Sequence, residues 1–239
     1  MEFVADDRVD AILCARGGVG CDRIIPLLDA AAVRAAAKPL VGYSDVTALL
    51  LWQRRCAGLM GFHGPMLDRG ADVDRSAFEL LFAQLRGDAA LPVRLSGEGL
   101  GGGRAEGRLV GGSLTLVAAS LGTVWEVETQ GAILLLEDVG ERPYRIDRML
   151  QQLRGSGKLQ RCAGIGLGAF TGCEDDRYPE PAVGAVLEEV LRPLGLPLVR
   201  GLPFGHVREN VGWPLGARAT IDGDRGELKI LERGVTRAA

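Results

Sequence analysis

Histidine is scarce in this chain of 239 residues, which carries only His63 and His206. Chemistry that needs a side-chain base near neutral pH must draw on one of these two. The five cysteines (Cys14, Cys21, Cys56, Cys162 and Cys173) form no C-x-x-C pair. So few soft ligands exclude a structural zinc site, and an odd set of thiols beside apolar runs suits a reducing, cytoplasmic setting. No basic excess exists either. The formal net charge is −3 with both signs interspersed, which argues against a nucleic-acid partner. No apolar run approaches the length of a membrane span, and the acidic opening Met-Glu-Phe-Val-Ala-Asp-Asp lacks the apolar core of a signal peptide. Neither a membrane partner nor export is therefore expected.

Glycine is abundant. Its 35 residues cluster at the ends of apolar runs, where turns and close backbone approach need them. Apolar residues make up 47% and charged residues 25%, the balance of a globular chain with one large or two small domains. Val9–Ala15 reads as a buried strand ending in Arg16-Gly17-Gly18-Val19-Gly20, and Asp22–Ala37 as a helix. Lys38–Tyr43 is a second short strand, followed by a helix from Asp45. Leu59–Phe62 forms a third strand ending at His63-Gly64-Pro65, with a helix over 74–85. This alternation implies parallel βαβ units, hence an α/β, Rossmann-like amino-terminal domain. Such sheets place their sites at the carboxyl ends of the strands, so loops 16–20, 44–45 and 63–65 should share one rim.

The period breaks down across 91–107, and Gly97–Gly103 reads as a domain boundary, giving domains 1–98 and 99–239. The second domain reads as α/β and rich in strands at its end. It has a helix over 114–121 and a strongly apolar strand, 132–136, ending at Glu137-Asp138. A helix over 144–153, a strand over 163–170 and a helix over 183–194 follow. A strand over 197–204 delivers Gly205-His206, and 215–221 with 227–231 form a closing hairpin.

Ser44 stands where strand spacing changes to helical spacing. Either Ser44 or Asp45 caps the helix, or the junction is a nucleophile elbow that pushes a serine hydroxyl into a cleft. The hydrolase pattern G-x-S-x-G is not met, because residue 46 is Val. The glycine loop is neither a Walker loop nor a complete dinucleotide fingerprint, and reads as an ordinary turn or a ligand-facing loop. Arg16 in it can grip a carboxylate or phosphate. Ser44, Glu137 and His206 together supply the nucleophile, carboxylate and base of serine hydrolysis. His63 is the competing base, and spacing does not choose between the two.

Six stretches, in order along the chain, carry a resemblance. They are Ala15-Arg-Gly-Gly-Val-Gly, Gly42-Tyr-Ser-Asp-Val-Thr-Ala-Leu, His63-Gly-Pro-Met, Gly111-Gly-Ser-Leu, Leu136-Glu-Asp-Val-Gly-Glu-Arg-Pro-Tyr-Arg-Ile-Asp-Arg-Met-Leu and Pro203-Phe-Gly-His-Val. With them the chain resembles the LD-carboxypeptidase family, the muramoyltetrapeptide carboxypeptidases and related microcin C self-immunity hydrolases. The resemblance implies a triad of Ser44, Glu137 and His206, with oxyanion donors at the Asp45 N–H and the Gly17-Gly18 loop. It implies cleavage of D-alanine from murein tetrapeptides in cytoplasmic peptidoglycan recycling, without metal or organic cofactor, by a homodimer. Arg16 is the expected partner of the substrate's terminal carboxylate. Glu141, Arg145 and Arg208 are expected either to shape the cleft or tie the domains together, or to form structural salt bridges. Family members carry a first βα unit of roughly sixty residues ahead of the Arg-Gly-Gly strand, so this chain is expected to lack that unit and expose a sheet edge. Two other functions compete. One is an immunity-type amidase with an aromatic shelf from Trp52, Trp125 or Trp213, the other a non-catalytic binder of peptides or nucleotides.

Overall fold

The computed structural model describes residues 1–67, 73–174, 177 and 181–235. Helix α1 (Glu2–Ala5) leads to strand β1 (Ile12–Leu13), much shorter than the seven-residue run expected there. The helix expected over 22–37 is broken into α2 (Cys21–Ile24), a 3₁₀ turn at Ile25–Leu27, and α3 (Ala30–Ala36). Pro26 lies in that turn, and Asp29 begins a new helix by accepting hydrogen bonds from the N–H groups of Ala31 and Ala32. Strand β2 (Leu40–Gly42) then runs into a 3₁₀ turn at Ser44–Val46, helix α4 (Thr47–Trp52) and a π-helical turn at Gln53–Ala57. Strand β3 (Gly61–His63) and helix α5 (Arg75–Leu85), capped by Asp74, follow as expected.

The stretch read as a boundary contains a strand. After β4 (Val93–Ser96) come β5 (Glu98–Gly101) and the long β6 (Arg104–Ser113). Its glycines allow backbones to meet: a Cβ on Gly99 would lie 1.9 Å from the carbonyl oxygen of Gly223. They are packing glycines. Helix α6 (Leu114–Ala119), β7 (Ile133–Val139), α7 (Pro143–Gly155), β8 (Gly164–Thr171) and α8 (Val183–Leu191) continue the βα alternation. The strand expected over 197–204 shrinks to β9 (Leu198–Arg200). The first arm of the closing hairpin splits into β10 (Trp213–Leu215) and β11 (Arg218–Asp222), with β12 (Glu227–Ile230) last.

Among the described residues the strands form two sheets, in the orders β1-β2-β3-β10 and β4-β12-β11-β6-β7-β8-β9-β5. β1, β2 and β3 are parallel, as are β6, β7, β8 and β9; the remaining pairings are antiparallel. The end strands of the larger sheet, β4 and β5, are separated in sequence by Gly97 alone, so that sheet curls back on itself. β10 leaves the carboxy-terminal half to pair with β3, so chain from beyond residue 98 completes the smaller sheet.

The core centres on β7, where Ile133, Leu134, Leu135 and Leu136 have no exposed surface. A strand between parallel neighbours is covered on both faces, which accounts for four consecutive apolar residues instead of alternation. Each such side chain contributes roughly 1.5–3 kcal/mol by leaving water. Ile146, Leu150 and Leu153 of α7 and Val186 and Val190 of α8 are buried in the same core. This packing fixes the carboxyl end of β7, where the polar residues begin.

Candidate active site

Ser44 follows β2 with φ of 59°, a left-handed conformation that non-glycine residues rarely adopt. Such strain persists where neighbours enforce it, and it turns the side chain out of the strand path. Gly17 holds it from one side: a Cβ there would lie 3.2 Å from Ser44 Oγ. Capping takes a form that neither expected alternative described. No side chain caps the helix that follows Ser44. The Asp45 carboxylate instead accepts a 2.9 Å hydrogen bond from the N–H of Cys21, at the start of α2. Asp45 thereby ties the glycine loop to the serine turn.

The three loops expected at one rim meet here: Gly17 packs against Ser44, and the ring of Tyr43 lies 5.9 Å from that of His63. The backbone N–H groups of Gly17 and Gly18 make no hydrogen bond with any described residue, which leaves them free as donors. Arg16, on the same loop, is exposed and forms no ion pair among the described residues. The ring of Tyr43, adjacent to Ser44, lies 4.7 Å from the His206 imidazole, centroid to centroid. His206 Nδ1 is 2.8 Å from Glu137 Oε2. Nδ1–H donating to the carboxylate leaves Nε2 unprotonated, the tautomer a general base requires. Ser44 Oγ makes no hydrogen bond with a described residue, and serine–histidine contacts commonly tighten only around substrate.

Glu137 has no exposed surface. The pairing of β7 with β8 shifts register between Leu136 and Asp138, a bulge that re-aims the intervening side chain. Burial pushes this carboxyl up, but the His206 hydrogen bond and the nearby His63 outweigh it and hold Glu137 below the ordinary carboxylate range. Gly205 completes the fit. At φ of 104° it suits glycine, and a Cβ on it would lie 2.8 Å from Glu137 Oε2.

The second acid of the pair does something else. Asp138 accepts hydrogen bonds from both the N–H and the hydroxyl of Thr115 in the first turn of α6. Burial raises its carboxyl to about 6. His63, the competing base, is closed off: it is fully buried, stacked on Trp213 at 5.0 Å and 14°. Its Nε2 stands 3.5 Å from Glu137 Oε1, the oxygen that His206 does not use. The carboxylate thus lies between two imidazoles, and only His206 retains some exposure.

Several supporting residues escaped sequence reasoning. The Asn210 side chain accepts the Gly205 N–H at 3.0 Å, and Thr171 donates to the His206 carbonyl at 3.0 Å, so the histidine loop is pinned from both sides. Thr47 Oγ1 accepts the Ser113 N–H at 3.1 Å, and Ser113 is the β6 partner of Glu137. Tyr43 contacts both histidines. The only local hint was polar residues in apolar surroundings. Of the aromatic shelf candidates, Trp213 has no exposed surface and Trp52 is buried, so neither forms a shelf. Arg145 pairs with Glu141 at 3.4 Å on the surface, while the Arg208 carbonyl accepts the Asp74 N–H. No group of metal-ligating side chains occurs among the described residues, nor any helix long and apolar enough to cross a membrane.

Residues 1–64 match the LD-carboxypeptidase N-terminal domain and residues 106–221 the LD-carboxypeptidase C-terminal domain. A probable murein peptide carboxypeptidase of Bacillus subtilis is 37% identical over 100% of this chain and 76% of its own length. The crystal structure of a muramoyltetrapeptide carboxypeptidase from Oxalobacter formigenes superposes with a TM-score of 0.87 at 31% identity, covering 97% of this chain and 82% of that one. The structure of MccF in complex with glutamyl sulfamoyl guanosine superposes with a TM-score of 0.86 at 25% identity, covering 98% and 79%.

Proposed function

Since the chain belongs to the LD-carboxypeptidase family, we propose that it is a serine carboxypeptidase releasing the terminal D-alanine of murein tetrapeptides. Ser44 is the nucleophile, His206 the base and Glu137 the carboxylate that orients it. The observation that carries this reading is the 2.8 Å contact between His206 and the fully buried Glu137, beside a serine held in a strained turn. A serine hydroxyl attacks an amide poorly until a base takes its proton. His206 Nε2 takes it as Ser44 Oγ adds to the carbonyl between the L-centre of the diamino acid and D-alanine. The oxyanion is met by the N–H of Asp45 and the Gly17-Gly18 loop. His206 then protonates the departing amine, and water, activated by the same imidazole, releases the acyl group. Arg16, exposed beside the loop, receives the terminal carboxylate that defines an exopeptidase substrate. Such a reaction belongs to peptidoglycan recycling in the cytoplasm.

The test is D-alanine release from a murein tetrapeptide. Ser44→Ala and His206→Ala should each lower turnover by about a thousandfold or more, with the circular dichroism spectrum unchanged. Undiminished release in either variant would refute the assignment. The likeness to the MccF complex favours a second reading, an amidase acting on peptide–nucleotide conjugates through the same three residues. Faster cleavage of an aminoacyl sulfamoyl adenosine than of the tetrapeptide would select it. Absence of both activities, with retained peptide binding, would leave the non-catalytic binder.

A further inference from the structure

A cleft of about 410 Å³ opens at the far end of the helix that begins at the serine turn. It lies roughly 15 Å along that helical segment from Ser44 and is lined by none of the triad residues. Three arginines line it: Arg54 and Arg55 from the π-helical turn after α4, and Arg108 from β6. Turns of this kind widen a helix locally and recur at functional sites.

Two of these guanidinium groups converge on one residue. A Cβ on Gly216 would lie 2.9 Å from Arg54 Nε and 3.2 Å from Arg54 Cζ, while the Gly216 carbonyl accepts a 2.7 Å hydrogen bond from Arg108 Nη1. Gly216 has φ of 98°, so backbone and space both demand glycine where the arginines meet. The carboxylates nearby are otherwise engaged. Glu232 is shared between Arg108 and Arg218. Glu126 is closed by Lys158 at 2.6 Å, and Glu128 accepts the N–H of Gln130 at 3.1 Å. Arg54 and Arg55 form no ion pair among the described residues. Arg54 is half-buried, and burial together with Arg108 weakens its hold on its proton. A half-buried cation facing another cation, without a counter-charge, is a feature the folded chain alone does not explain.

We propose that this cleft is a binding site for a small phosphate-bearing anion, held by Arg54 and Arg108 with Arg55 at the mouth. Glu232 already pairs with Arg108, so Arg54 and Arg55 are the groups of the cleft that lack a paired negative charge among the described residues. A phosphate ester brings nearly two, and its oxygens match the planar fork of arginine.

Isothermal titration calorimetry of the full chain with sodium pyrophosphate, at ionic strength held constant with chloride, tests the site. Saturable binding of one pyrophosphate per chain is expected. Arg54→Gln and Arg108→Gln should each weaken it by about tenfold or more, and Ser44→Ala should leave it unchanged. Thermal unfolding at the wild-type temperature certifies the fold of each variant. No saturable heat, or unaltered affinity in both arginine variants, would overturn the proposal. So would loss of binding in Ser44→Ala, because pyrophosphate would then be occupying the serine cleft.

Discussion

Glu137 and Asp138 are sequence neighbours with opposite electrostatic fates. The first accepts a hydrogen bond from an imidazole, lies near a second, and stays below the ordinary carboxylate range. The second has only neutral donors, from Thr115 and Val139, and burial carries it to about 6. A carboxyl whose folded-state value exceeds its unfolded value of 3.8 favours the fold while it is protonated. That contribution is complete below the unfolded value and disappears as pH rises through about 6. It amounts to about 3 kcal/mol. Asparagine does not titrate, so urea denaturation of wild type and Asp138→Asn should show the wild type losing ground to the variant between pH 4 and pH 7. A stability difference independent of pH would show that Asp138 is not buried as described. Ser44 stores strain of about 1–3 kcal/mol in its backbone, and the surrounding turn must supply that stability from elsewhere.

At the scale of elements, a backbone-to-side-chain hydrogen bond links the two halves of the site. Thr47 of α4 accepts the N–H of Ser113, and Ser113 is paired in register with Glu137. The serine turn and the carboxylate are therefore related through two elements, α4 and β6. Thr47→Val keeps the shape and removes the acceptor from a buried N–H. Urea denaturation should show a loss of about 1–3 kcal/mol, and D-alanine release should fall through turnover more than through KM. A neutral result in both measurements would mean that this bond does not hold the site. Sequence period located the strands that deliver Ser44, His63 and Glu137, because strand-to-helix changes in spacing are local. It did not show the strand over 98–101, where glycine clears space for Gly223, a residue more than a hundred positions away. The same cause hid the division of 215–221 between two sheets. Gly216 turns the chain there, and nothing in the apolar pattern records which sheet each side joins.

At the scale of the whole molecule, the candidate site is assembled from distant stretches. The serine comes from the sheet of β1, β2, β3 and β10, whereas Glu137 comes from the other sheet and His206 from the loop after β9. β10 crosses between them, and its Trp213 stacks on His63 beneath the carboxylate. Ser44, Glu137 and His206 drew notice in the sequence because each stands at a strand end, and there the resemblance, not the spacing, named His206. The burial of His63 and the 2.8 Å contact of His206 with Glu137 exist only in three dimensions. Asn210, Thr171 and Tyr43 were invisible for the same reason. The central claim is that Ser44 is made reactive by a histidine delivered from the other half of the chain. Intact-mass and peptide analysis after treatment with a fluorophosphonate probe addresses it directly. One adduct, on Ser44, is expected in the wild type, with labelling nearly abolished in His206→Ala. An unlabelled wild type, an adduct on another residue, or equal labelling in His206→Ala would contradict it.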